Sequence, residues 1–369
     1  MKRIGCEAFL AFVRAGLWEN DTWLLPFDDI DFEEVYRFAQ EQSVVGLVAA
    51  GFEYVKDKKV PQNVALQLAG EVLQLERRNL AMNAFVAQLV NRLREHDVYA
   101  LLVKGQGIAQ CYERPLWRAA GDIDLLLSED NYKRAKDVLL PLASSSEKEY
   151  SSFKHLSFMI DGFEVELHGT LHTRLSVAVD KMIDEVQADV FFKGNVRSWQ
   201  DGKAQVFLPG VNDDAIFLFT HILHHFYVDG IGLRQICDWC RFLWTYKDFL
   251  DLELLRTRLR VMGLLSEWKA FGALAVEYLG MPTDAMPLHS DEEKWKKKAS
   301  RILRFVMECG NFGHNRQIEH TKSYWGEKFR SLFRKIKDFG RHTRVFPLDS
   351  VRFFLGFLKD GIRQAMRGE

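Results

Sequence analysis

Asp122 and Asp124 stand two positions apart at the head of the apolar run Asp-Ile-Asp-Leu-Leu-Leu127. Strand side chains alternate between faces, so both carboxylates point one way while Ile123 and Leu125 point the other. Two carboxylates on one face attract a hard divalent cation, and Mg²⁺ held there attracts phosphate. The expected chemistry is phosphoryl transfer. Other chemistry-bearing residues surround the pair. Lys104-Gly-Gln-Gly107 closes the apolar run Val98-Tyr-Ala-Leu-Leu-Val103, Arg118 precedes the aspartates, and Glu164 and Glu166 alternate within Phe163-Glu-Val-Glu-Leu-His168.

The elements that must position these residues can be read from periodicity and punctuation. To about residue 96 the pattern is helical: Asp31 is a cap with Glu34 completing a capping box, and Pro61 opens a helix that runs to about Glu95. The period then changes. Val98 to Val103 reads as a buried strand ending in a glycine turn, Ile108 to Tyr112 as a short helix, and Asp122 to Leu127 as a second strand. Ser128 caps a helix with acids in its first turn. His155-Leu-Ser-Phe-Met-Ile160, Asp161-Gly162 and Phe163 to His168 read as a hairpin. After Pro209 helices return over Asp213–Tyr227, Leu233–Tyr246, Leu252–Met262 and Leu264–Leu279, and a capping box from Ser290 to Glu293 opens another toward Met307. The expected class is α+β: a small mixed-sheet core over 97–208, flanked by helical regions over 1–96 and 209–369.

Composition bounds the rest. A chain of 369 residues, 47% of them hydrophobic, can bury a substantial core. A formal net charge of −1 gives no global pull toward nucleic acid or anionic membrane. The five cysteines are odd in number and scattered, which argues against a disulfide framework and for a reducing compartment. The N-terminus lacks the apolar core of a secretory signal, and no uncharged stretch is long enough to span a bilayer. The expectation is a cytoplasmic protein without membrane insertion.

The order of strand, Lys104-Gly105, short helix, Arg118, Asp122-x-Asp124, hairpin and Glu166 resembles the polymerase beta-like nucleotidyltransferase superfamily. The likeness sharpens toward a bacterial branch of nucleotidyltransferase-like proteins through Leu102-Val-Lys-Gly105, Arg118 to Leu127, Val165-Glu-Leu-His168 and the segment Leu233 to Leu243 with its Asp238. The resemblance implies that Asp122, Asp124 and Glu166 hold one or two Mg²⁺ ions against the phosphates of an NTP. Glu166 would complete the metal site and help a substrate hydroxyl lose its proton. It is preferred to Glu164 because it stands in the Glu-Leu-His pattern. The resemblance assigns nucleotide binding to Lys104, Gly105, Gln106 and Arg118: Gly105 through close backbone approach, Lys104 and Arg118 through charge. The partners implied are an NTP and a hydroxyl-bearing acceptor, a small molecule or RNA. Gln106 departs from the pattern, since many members have Ser there. That departure, with the large helical flanks, keeps open a non-catalytic binding scaffold. The Lys-Gly form keeps open a nucleotidyltransferase-like toxin acting on RNA.

Other groups read as structural. His168 and His172 can join a metal site, but on a half-buried strand His168 reads as a group that orients a ligand. His221, His224 and His225 lack the Glu of a zinc-protease motif and read as packing or surface residues. Cys237-Asp-Trp-Cys240 lies in an amphipathic helix and reads as core, with Asp238 able to face a cleft. Lys322 to Arg344 is basic, with an apolar stripe of Phe329, Leu332, Phe333, Ile336 and Phe339. A docked helix with a solvated charged face is expected there, ahead of a nucleic-acid or membrane contact.

Overall fold

A computed structural model of the chain describes residues 3–27, 29–150, 154–311, 336–354 and 356. The chain begins with α1 (Arg3–Trp18), α2 (Phe32–Glu41), α3 (Val45–Glu53) and α4 (Gln62–Glu95). A sheet-bearing middle follows: β1 (Leu101–Val103), α5 (Gly105–Ala109), β2 (Asp122–Leu126), α6 (Glu129–Leu139), β3 (Ser145–Ser146), β4 (His155–Ile160), β5 (Phe163–His168), α7 (Val177–Lys193), β6 (Val196–Asp201) and β7 (Ala204–Pro209). Then come α8 (Val211–Val228), α9 (Leu233–Thr245), α10 (Leu252–Met262), α11 (Leu265–Glu277) and α12 (Glu293–Cys309). Residues 336–342 and 347–354 are also helical. The protein is α+β, with a mixed sheet among many helices.

Local chemistry explains most boundaries. Asp31 Oδ1 accepts the backbone N–H of Glu34 at 3.0 Å and caps α2. Pro61 takes the N-cap position of α4. Asp161 and Gly162, at φ 51° and 81°, form the tight turn that joins β4 to β5. Three boundaries differ from expectation, one of them the short helix, which spans Gly105–Ala109 rather than Ile108 to Tyr112. The first strand is only Leu101–Val103. The expected Ser290 box does not cap α12, which starts at Glu293; Ser290 Oγ donates instead to Glu292 Oε1 at 3.1 Å. The β6–β7 hairpin was not expected. Its outer strand is partly exposed along its whole length, as an edge strand can be, and its two apolar residues, Val196 and Trp199, stand three apart, so it lacks an apolar alternation.

The seven strands run in the order β3-β4-β5-β2-β1-β7-β6. β2 pairs antiparallel with β1 and parallel with β5, in a register that sets Asp124 beside Glu166 and Asp122 beside Glu164. One face of the sheet is apolar: Leu102, Ile123, Leu125, Val165 and Leu167 pack with Phe85, Val86 and Leu89 of α4 and Tyr132 of α6. The opposite face carries Leu101, Val103 and Leu126 into a larger core that helices from both ends of the chain share. Trp18 Nε1 of α1 donates to Leu279 O at 2.5 Å, and Gln42 Oε1 accepts Leu233 N at 3.0 Å. In that core Phe219, Trp239 and Trp268 are fully buried and meet with ring centroids 4.7–5.4 Å apart. Burying each such ring contributes about 2–3 kcal/mol.

All five cysteines are buried and none is in a disulfide, Cys237 and Cys240 among them. Among the described residues no helix is long and apolar enough to cross a membrane. Of the basic segment, Lys322, Lys328, Arg330, Arg334 and Lys335, with Phe329, Leu332 and Phe333, lie outside the described residues. Within it, Arg341 pairs with Glu308 at 3.0 Å and Phe339 meets Phe354 at 4.5 Å.

Candidate active site

Strand parity delivers the acidic residues to one place. Asp122, Asp124 and Leu126 share a face of β2, Glu166 and His168 a face of β5, and His155 and Ser157 a face of β4. Because β5 lies directly beside β2, carboxylate oxygens of Asp122, Asp124 and Glu166 come within 4.8 Å of one another. Glu164 lies on the same face but accepts Ser157 Oγ at 2.8 Å. A cavity of about 200 Å³ opens over the three carboxylates, bounded by Lys104, Gly105, Arg118, His221, Arg234 and Asp238, among others.

Lys104 and Gly105 turn the chain sharply at the end of β1. Both have positive φ, 58° and 40°, so the turn suits glycine at 105 and strains the lysine. The strain aims the ammonium into the site: Lys104 Nζ lies 2.8 Å from Asp124 Oδ1. Burial opposes its charge, but Asp124, Asp122 and Glu166 outweigh burial and raise its pKa. His168 Nε2 approaches the same Asp124 oxygen at 2.8 Å. His155 Nε2 lies 3.2 Å from Glu166 Oε2.

The carboxylates titrate unequally. The charge of Asp124, then burial, raise the pKa of Asp122 against the opposing pull of Lys104. Glu166 goes the other way: burial favours its neutral form, but hydrogen bonds from His155 and His168 prevail and hold it far below the usual range. Three such carboxylates, with Lys104 offsetting one negative charge, are a hard oxygen donor set that fits Mg²⁺.

Arg118 and Asp238 meet across 120 residues in a buried bidentate pair: Nε donates to Oδ1 at 2.8 Å and Nη2 to Oδ2 at 2.7 Å. Tyr112 donates to the same Oδ1 at 2.8 Å. The third guanidinium nitrogen of Arg118, Nη1, is buried and has no hydrogen-bond partner. Asp238 therefore holds the arginine by two nitrogens and leaves the third, itself buried, without a partner.

Gln106 is the expected nucleotide-binding residue that does not come into the site. It is buried and donates to Asn79 Oδ1 at 3.3 Å, while Asn79 Nδ2 donates to the carbonyls of Leu116 and Arg118 at 2.7 and 2.8 Å. It braces the approach to β2 from behind. Three wall residues lacked an expected role. His221 and His225 of α8 and Arg234 of α9 all bound the cavity, and Arg234 also donates to Ala119 O at 3.1 Å. The spacing of His221 and His225 places them one helical turn apart on a single face, which was the available signal. Burial, foremost, pushes the His221 pKa well below its ordinary value, so the ring is neutral at pH 7.

No curated protein and no solved structure gives a significant match to the chain. Residues 28–280, more than half of the chain, match the profile of a family described as uncharacterised nucleotidyltransferase, and the chain belongs to that family.

Proposed function

We propose that the protein is an Mg²⁺-dependent nucleotidyltransferase that moves a nucleoside monophosphate from an NTP to a hydroxyl-bearing acceptor and releases pyrophosphate. The observation that carries the reading is the convergence of Asp122, Asp124 and Glu166 within 4.8 Å on one sheet face, beneath a cavity edged by Lys104 and Arg118.

Asp122, Asp124 and Glu166 would hold the ion. When bound, Mg²⁺ supplies neutralisation of phosphate charge and fixes the phosphate oxygens in space. Lys104 and Arg118 would meet the triphosphate, with Arg118 pre-set by Asp238 so that little side-chain entropy is lost on binding. Arg234 adds positive charge on the same side of the cavity. The depressed pKa of Glu166 suits a metal ligand and makes it a poor acceptor for a hydroxyl proton.

Incubation with each of the four NTPs and Mg²⁺ tests the reading through nucleotide binding and pyrophosphate release. Both should vanish in Asp122→Ala and Asp124→Ala. No binding of any NTP with Mg²⁺ or Mn²⁺ would overturn it. It would favour instead a non-catalytic scaffold, the reading that the turned-away Gln106 supports.

A further inference from the structure

Glu166 also belongs to a second set of donor atoms, completed by two imidazoles that the carboxylate site does not include. β4 and β5 pair so that His155 faces His168 and Ser157 faces Glu166, which puts both imidazoles and the carboxylate on one face. His155 Nε2 lies 3.2 Å, and His168 Nε2 3.3 Å, from the same oxygen, Glu166 Oε2. All three donor atoms fall within 4.8 Å of one another.

These separations are informative. A tetrahedral cation with bonds of about 2.0–2.1 Å spaces its ligands about 3.3–3.4 Å apart. The two imidazole–carboxylate edges, 3.2 and 3.3 Å, match that spacing. Hydrogen bonding alone serves this arrangement less well. His168 Nε2 also lies 2.8 Å from Asp124 Oδ1, and a single Nε2–H cannot be directed at both carboxylates. The donor type differs too, since two imidazole nitrogens and one carboxylate favour a borderline metal over Mg²⁺.

The set also has an open side. His155, Glu166 and His168 line a cavity of about 360 Å³ next to the first, with Tyr150, Thr170 and His172 among its walls. Three protein ligands and one position open to a small molecule are the pattern of a reactive metal site, whereas a structural one is closed by four.

We propose that His155, Glu166 and His168 form a second divalent-cation site for a borderline metal such as Zn²⁺, sharing Glu166 with the carboxylate site and opening onto the adjoining cavity. Cation binding there stands independently of nucleotidyl transfer. Its use, to hold an oxygen of an acceptor entering that cavity, rests on the transfer reading.

Titration with Co²⁺ alone tests the site, because tetrahedral Co²⁺ absorbs in the visible. The wild-type protein and Asp122→Asn, which weakens the carboxylate site, should both develop the band. His155→Ala should lose at least about tenfold in Co²⁺ affinity. Near-UV circular dichroism checks its fold, and His155→Gln repeats the test should the alanine variant fail that check. The proposal is overturned if the wild type binds no Co²⁺, or if both His155 variants bind it unchanged. Loss of the band in Asp122→Asn as well as in the His155 variants would also overturn it, since that describes one carboxylate site that His155 merely orients. Failure of the transfer reading shows elsewhere, as absent NTP binding, which this titration does not measure.

Discussion

Lys104 and Asp124 form an ion pair, Nζ to Oδ1 at 2.8 Å, that the lysine reaches from a backbone at φ 58° and ψ −141°. Such a conformation suits glycine and costs other residues about 1–3 kcal/mol. A cation is thus held at the acidic cluster at the expense of backbone strain. This is the pattern expected where placement of a charge matters more than local stability.

Comparing Lys104→Gly with Lys104→Ala separates the two effects. Both remove the charge, and only glycine relieves the backbone. In urea denaturation Lys104→Gly should be the more stable of the two by about 1 kcal/mol. By calorimetry both should bind NTP at least about tenfold more weakly and, without nucleotide, bind Mg²⁺ more tightly, because a competing cation is gone. Equal stabilities would argue that the turn is unstrained.

Asp122 and Asp124 should respond oppositely to neutralisation. Asp122 is repelled by Asp124, so Asp122→Asn should melt at or above the wild type in chelator, by about 0.5–1 kcal/mol of stability, while losing any Mg²⁺-dependent rise in Tm. Asp124→Asn takes an anionic acceptor from both Lys104 and His168 and should cost about 2–3 kcal/mol. Thermal melts with and without Mg²⁺ check both.

Asp238→Asn should destabilise by about 3–5 kcal/mol, because it leaves the buried Arg118 guanidinium uncompensated. The double variant Arg118→Met with Asp238→Leu should recover most of that loss and still bind no NTP. Denaturation midpoints and nucleotide titration, read together, distinguish the structural part of this pair from its binding part.

His224 gives the protein an acid-sensitive contribution. Burial, then the neighbouring charge of His225, push its pKa down to about 4, and its Nδ1–H donates to Thr173 O at 2.8 Å. The unfolded chain takes up this proton near pH 6.5 and the folded one near pH 4, so stability is whole above 6.5 and falls as pH drops toward 4. His224→Gln keeps a donor for Thr173 and should flatten that decline by up to about 3 kcal/mol. Urea midpoints measured from pH 7 to pH 4 read the slope.

Much of the acidic cluster was legible in one dimension. The parity of Asp122 and Asp124, and of Glu166 with His168, follows from a two-residue repeat that needs no tertiary information. Asp161-Gly162 announced its hairpin, because positive φ at consecutive positions selects those residue types. The α+β class followed from the change of period near residue 97. The edge strand β6 left no comparable trace, since an exposed strand is under little pressure to alternate.

The chain's order of residues alone determined which carboxylates could share a face. Only the tertiary structure decided that β5 lies parallel beside β2, so that Glu166 stands next to Asp124. It also decided that Asp238 takes two nitrogens of Arg118, that Gln106 turns to Asn79, and that His221 and His225 roof the site. The reason is physical: side-chain alternation is set by the backbone within a few residues, whereas strand order and helix docking are set by burial of surfaces that lie from tens to more than a hundred residues apart in sequence.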